Sequence, residues 1–150
     1  MYYVNREQID RRLAYLRRIA ATLRSLGASA AWRDSDVERL ALERAVHVAA
    51  EAVTDVGSYM IDGFVMRDAG SYEDIIDILH GERAIEDELK PALAALVQWR
   101  KPLVQQYDQI DAEKLAEPIA ELPDALERFA LNISAYIEQE LDGFPVSGRH

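Results

Sequence analysis

The stretch Leu115-Ala116-Glu117-Pro118-Ile119-Ala120-Glu121-Leu122-Pro123-Asp124-Ala125-Leu126-Glu127-Arg128-Phe129-Ala130-Leu131-Asn132-Ile133-Ser134-Ala135-Tyr136 decides the fold class. Its large apolar residues, Leu115, Ile119, Leu122, Leu126, Phe129, Ile133 and Tyr136, recur at steps of 4, 3, 4, 3, 4 and 3. That is one face of an α-helix; a half-buried strand would alternate every second residue. The pattern continues through Pro118 and Pro123 and predicts one helix from near Asp111 to Asp142-Gly143-Phe144-Pro145, with Val146 to His150 as a tail.

Upstream the same period returns. Leu89, Leu93, Leu96, Leu103 and Tyr107 form the seam of a fourth helix, with Arg100 at the same spacing. Pro102 is expected to bend it between Trp99 and Leu103, because proline lacks an amide donor and crowds the carbonyl one turn back. Ser71 with Asp74 caps a short third helix carrying Ile75, Ile76, Ile78 and Leu79 ahead of Gly81. Ser35-Asp36-Val37-Glu38 is a capping box that opens a second helix running to about Phe64. Its small stripe, Ala45, Ala49, Ala52 and Val56, lets a neighbouring helix approach closely. The first helix starts at Val4-Asn5-Arg6-Glu7-Gln8-Ile9, with Asn5 as cap, Gln8 returning the bond, and Val4 and Ile9 as the apolar staple. It continues through Leu13, Leu16, Ala20 and Leu23, and Gly27 is expected to end it. The prediction is an all-α, antiparallel bundle of about five helices, one domain over 1–142 with 143–150 as a tail.

Composition narrows the function. A chain of 150 residues that is 49% hydrophobic and 29% charged is globular. The absence of cysteine excludes disulfides, a thiolate zinc site and a cysteine nucleophile. No apolar run approaches the roughly 18 residues of a membrane span, so a cytoplasmic protein without membrane contact is expected. The net charge of −10 is uneven: residues 1–33 hold seven arginines against Glu7 and Asp10, which makes that segment +5 and the remainder −15. Bulk charge repels a polyanion, so any RNA contact needs a local basic patch and weakens with salt.

No nucleophile elbow, Walker loop, dinucleotide fingerprint or His-Glu-x-x-His occurs, and neither a cofactor nor a metal is expected. Glu43, His47 and Glu51 lie one turn apart on one helix face, and Asp77 precedes His80 by three. Metal sites in helical bundles need Glu-x-x-His from two helices with further carboxylates, so a structural role is favoured for both sets. The first helix carries Arg6, Arg11, Arg12, Arg17, Arg18 and Arg24. These suit phosphate, but the solvated side of an amphipathic helix is the favoured reading, since no aromatic residues interleave for base stacking.

The informative segment is Trp99-Arg100-Lys101-Pro102-Leu103-Val104-Gln105-Gln106-Tyr107-Asp108-Gln109-Ile110-Asp111. Arg100 and Tyr107 stand two turns apart on a stripe of leucines, and an arginine there needs a partner or a wet cleft. One reading pairs Arg100 with a carboxylate of a neighbouring helix, Asp55 or Glu51, and leaves Tyr107 at the core rim. The other makes both residues part of a polar site. Physics alone favours the ion pair.

The segment resembles the signature of the HepT-like bacterial HEPN proteins, read as R-N-x-L-V-H-x-Y followed by Ile-Asp. Arg100, Leu103, Val104, Tyr107, Ile110 and Asp111 fall in register with it. Tyr2-Tyr3-Val4-Asn5, the stretch from Glu43-Arg44-Ala45 to Ala52-Val53-Thr54-Asp55, and Ser71-Tyr72 also look like that family, so the likeness spans about the whole chain. Two positions depart: Lys101 replaces the motif Asn and Gln105 replaces the motif His.

The resemblance implies a metal-independent ribonuclease site in a two-fold homodimer. There the His moves protons around attack by a ribose 2′-hydroxyl, and the Arg steadies charge on phosphorus. The catalytic set carried over is Arg100, Gln105 and Tyr107, with Lys101 and Asp55 in support. An amide exchanges no proton near neutral pH, so Gln105 can hold a hydroxyl or phosphate but cannot serve as a base. The family further implies a partner, a nucleotidyltransferase antitoxin (MntA-like) that modifies the motif tyrosine, here Tyr107, with AMP. Three readings follow: a HepT-like toxin of a toxin-antitoxin pair with impaired or lost RNA cleavage; an inactive scaffold binding RNA, nucleotide or the nucleotidyltransferase; and a helical dimer without ligand.

Overall fold

Two helices set the frame of the computed structural model, which describes residues 2–142. Helix α1 (Arg6–Ser29) and α2 (Asp36–Gly63) are joined by a 3₁₀ turn at Ala31–Arg33 and pack antiparallel, with the amide of Tyr3 donating to the carbonyl of Gly63 at 2.9 Å. Both helices start where the capping residues predict. Asn5 accepts from the Gln8 amide at 3.2 Å and Ser35 from the Glu38 amide at 3.2 Å. The return bond from Gln8 does not form, because its side chain accepts from Arg12 one turn on.

Helix α1 overruns its expected stop. Gly27 lies inside it, where an added β-carbon would stand 2.8 Å from Ile119 Cγ2. The left-handed residue that ends the helix is Ala30, at φ 50°. Gly27 is therefore required by a close helix approach, and the turn is made by a residue that carries a β-carbon.

Helix α3 (Tyr72–Gly81) packs on α2 and on α4 (Leu89–Gln98), and α4 also meets α7 (Leu122–Ile137). Ser71 caps α3 by accepting from the Asp74 amide at 3.0 Å. Asp74 in turn accepts from Arg67 at 2.7 Å and from the Gly70 amide at 2.9 Å. Arg67, and after it Gly70, hold the Asp74 carboxyl down at about 2. This cluster pins the turn on which Tyr72 sits. On the opposite flank, Gly57 of α2 leaves room for Ile75, whose Cγ2 would lie 2.2 Å from a β-carbon there.

The five expected helical rods are present, but two are broken. The fourth divides at Trp99 into α4 and α5 (Arg100–Gln105). The last divides into α6 (Ala112–Ala116), a 3₁₀ turn at Glu117–Ala120, α7 and a π turn at Glu138–Asp142. Pro118 and Pro123 each withhold a helical amide donor near the start of the 3₁₀ turn and of α7, so the apolar period survives while the backbone ladder does not. Leu115, Ile119, Leu122, Leu126, Phe129 and Ile133 are all buried as their spacing requires, and Tyr136 is half-buried against them. Tyr2, Phe64 and Tyr136 close one end of the bundle with edge-to-face contacts at 4.8 and 5.1 Å. Burial pushes the Tyr136 phenol up to about 12, assisted by Glu140.

The small stripe Ala45, Ala49, Ala52 and Val56 is buried within the single chain, so it offers no surface to a second copy. The expected tail, 143–150, lies outside the described residues. Among the described residues no helix is long and apolar enough to cross a membrane.

Candidate functional site

The break at Trp99 builds the site. With no amide on Pro102 the ladder cannot continue from Gln98; the Trp99 amide turns back to Leu96 at 3.1 Å, and Leu103 restarts the helix by donating to Trp99 at 3.0 Å. Arg100 thus becomes the first residue of α5 and lies between α2 and α3. Its Nε donates to Glu51 Oε2 at 3.0 Å and its Nη2 to Glu51 Oε1 at 3.0 Å. The guanidinium lies over the Tyr72 ring, 3.7 Å from the centroid.

A planar fork held by one carboxylate and stacked on a ring is an arginine site that lysine would not satisfy. Two donors face Glu51. The Nη1 edge has no hydrogen-bond partner among the described residues, and Arg100 lines an open cleft with Tyr72, Glu73, Val97, Gln98, Lys101, Val104 and Gln105. The expected ion pair therefore exists, with Glu51 as the carboxylate. Asp55 does not support Arg100; it accepts from Arg12 at 3.1 Å.

Tyr107 departs most from the sequence reading. Helix α5 ends at Gln105, Gln106 leaves the helical region at φ −121° and ψ 37°, and Tyr107 stands on the following turn, 69% exposed. It belongs neither to the leucine seam nor to the lining of the cleft. Gln105 and Lys101 are exposed on the cleft wall.

His47 does not supply the missing imidazole. Its Nε2 lies 3.5 Å from Glu51 Oε1 and is buried with no hydrogen-bond partner among the described residues, and His47 does not line the cleft. Burial pushes the Glu43 carboxyl up, with Arg39 opposing. No three His, Asp or Glu side chains gather as metal ligands among the described residues. His80 contacts Asp87 at 2.7 Å, whereas Asp77 pairs with Lys90 at 3.4 Å.

Two features were missed in the sequence. Tyr72 was legible only as part of a resemblance, since nothing in its spacing says that the first residue of α3 stacks on Arg100. The aromatic residues among the α1 arginines are a correction: Tyr15 stands between Arg12 and Arg17, 38% exposed, with Arg18 5.9 Å from its ring centroid. Arg12 lies 5.3 Å from that of Tyr59 on α2.

The family described as Ribonuclease HepT-like matches residues 12–133, a span that contains Glu51, Tyr72, Arg100 and Gln105. The chain belongs to the HepT-like ribonuclease family. This HepT-like chain is 40% identical over 147 residues to a Bacillus subtilis (strain 168) protein named "Putative RNase YutE", covering 98% of each. A solved structure of YutE, described as a cytosolic protein of unknown function, superposes with a TM-score of 0.87 at 39% identity, over 98% of this chain and 99% of that one. The tri-AMPylated HEPN toxin of Shewanella oneidensis, solved in complex with MNT antitoxin, shares the fold at a TM-score of 0.76 and 16% identity, over 85% of this chain and 97% of that one. A toxin-antitoxin structure with AMP-PNP matches at 0.78 and 15%, over 86% and 98%.

Proposed function

We propose that this HepT-like chain is the toxin-type member of a pair with a nucleotidyltransferase antitoxin, and that its Arg100 cleft binds the phosphates of single-stranded RNA with cleavage weakened by Gln105. The observation that carries this reading is the Arg100 fork, oriented by Glu51 and Tyr72 on the wall of an open cleft. Glu51 aligns the guanidinium in advance, so a phosphate meets an ordered donor edge and little rotamer entropy is lost on binding. Lys101 adds a second cation on the same wall. Among the described residues that line the cleft, which include the Glu73 carboxylate, there is no histidine.

Binding tests the phosphate role. Single-stranded RNA titrated by fluorescence anisotropy at low salt should bind weakly, and Arg100→Ala should weaken it about tenfold, the scale of one lost charge-assisted bond. Equal affinities for the two proteins would remove Arg100 from the site.

The same reading includes a homodimer and an AMP acceptor at Tyr107. Tyr72 and Val104 are exposed beside Arg100 on the cleft wall, an apolar rim that suits closure against a second copy. Sedimentation at micromolar concentration should give twice the monomer mass; a stable monomer would overturn the dimer. The inactive scaffold is the second reading, favoured by the burial of His47 Nε2, since no histidine among the described residues lines the cleft.

A further inference from the structure

We propose that the groove between α1 and α2, lined by Arg11, Arg12, Tyr15 and Arg44, is the track that carries single-stranded RNA to the Arg100 cleft. The inference rests on the RNA reading above and extends it to a second surface. Four observations converge on it. The first is charge: a chain of net −10 concentrates arginine in its first helix, so this face departs from the bulk. Folding then adds Arg44 of α2 opposite Arg11 and Arg12, across a groove whose other lining includes Gln8, Val48, Glu51, Ala52 and Asp55.

The second is continuity. Glu51 lines this groove and also grips Arg100, so one carboxylate separates the arginine groove from the cleft. Glu51 is thus the residue the two surfaces share, and a phosphodiester chain leaving the groove would reach Arg100 past that carboxylate.

The third is partner state. Asp55 offsets Arg12 and Glu51 is engaged by Arg100, while the guanidinium groups of Arg11 and Arg44 make no hydrogen bond or ion pair among the described residues. Two uncommitted cations on facing helices are what a polyanion needs, and they release counterions when it binds.

The fourth is the aromatic content. Tyr15 is exposed on the groove wall beside Arg18, and Tyr59 stands beside Arg12. An unpaired base has an exposed π-face and can stack on such a ring, whereas the bases of a duplex are turned inward. The combination therefore selects a single strand over a helix.

The test uses the full chain and a fluorescent oligouridylate of about 12 nucleotides, long enough to extend from the groove to the cleft and within the range of single-strand site sizes. Arg11→Gln combined with Arg44→Gln should weaken binding about tenfold and flatten the slope of log affinity against log salt by about 1.4, the value for two lost phosphate contacts on a single strand. The double lysine variant at the same positions should keep most of the affinity, and Lys114→Gln, outside the groove, should bind like the natural chain. Unchanged melting temperatures show that the fold is retained. If the double glutamine variant keeps its affinity and slope while Arg100→Ala loses affinity, the track is overturned, the cleft reading stands, and the groove is a surface for an acidic protein. If the natural chain does not bind the oligonucleotide at all, track and cleft fall together.

Discussion

Gln105→His is expected to raise metal-independent cleavage of single-stranded RNA by about 10²- to 10⁴-fold, the range a positioned acid or base contributes. Gln105 is the last residue of α5, five after Arg100, and exposed on the wall of the same cleft. An imidazole there displaces no core side chain, and it brings a proton-exchanging group to a cleft whose guanidinium is already oriented by Glu51 and Tyr72. Products should end in cyclic phosphates, since the attacking hydroxyl belongs to the substrate's own ribose. Adding Arg100→Ala should return the rate to background. Brisk cleavage by the natural chain that ignores Arg100→Ala would place the active residues elsewhere. No gain in a correctly folded Gln105→His protein would favour the scaffold, with Lys101 or the break at Trp99 having altered the geometry beyond what one exchange repairs.

The second large effect is on stability. Gly57→Val should cost about 3 kcal/mol, because its β-carbon would enter the space of Ile75 Cγ2, 2.2 Å away, on a β-branched residue that has little freedom to turn aside. For a chain of this size that is a fall in melting temperature of roughly 6–12 °C. Gly81→Ala is the control: among the described residues nothing lies within 4 Å of its added carbon, so the midpoint should hold. The Gly57 variant should also lose RNA affinity, since α3 carries Tyr72 onto Arg100. A melting temperature equal to the natural one would show that α3 does not rest on α2 at Gly57.

The fold was legible wherever burial alone decides it. The repeat from Leu115 to Ile133 and the caps at Asn5, Ser35 and Ser71 are local signals, and each is found in place. What periodicity cannot report is whether the backbone follows the face. Pro118 leaves Ile119 on the core side while ending the ladder, and Gln106 turns Tyr107 out of a stripe that its spacing assigns it to. Gly27 shows the same limit: its role is set by Ile119, far along the chain.

The site divides similarly. That Arg100 needed a partner followed from its neighbours being leucines, and Glu51 was one of two carboxylates within reach. The choice between Glu51 and Asp55 depended on Arg12, which takes Asp55 for itself. Tyr72 gave no signal beyond the resemblance, because a stacking partner from another helix leaves no period to read. Tyr15 does stand between Arg12 and Arg17 in the sequence, but only the packing of α1 on α2 puts its ring on the same groove as Arg11, Arg12 and Arg44.

The turn that displays Tyr107 has a kinetic consequence. A tyrosine on a leucine seam could be modified only while its helix was detached, so the open fraction of molecules would limit the rate. Tyr107 is 69% exposed in the folded chain, and an enzyme transferring AMP to it would work on the native population. The modification would then answer to the concentration of that enzyme rather than to the stability of its target. The new phosphodiester's negative charge would be delivered just beyond the end of α5.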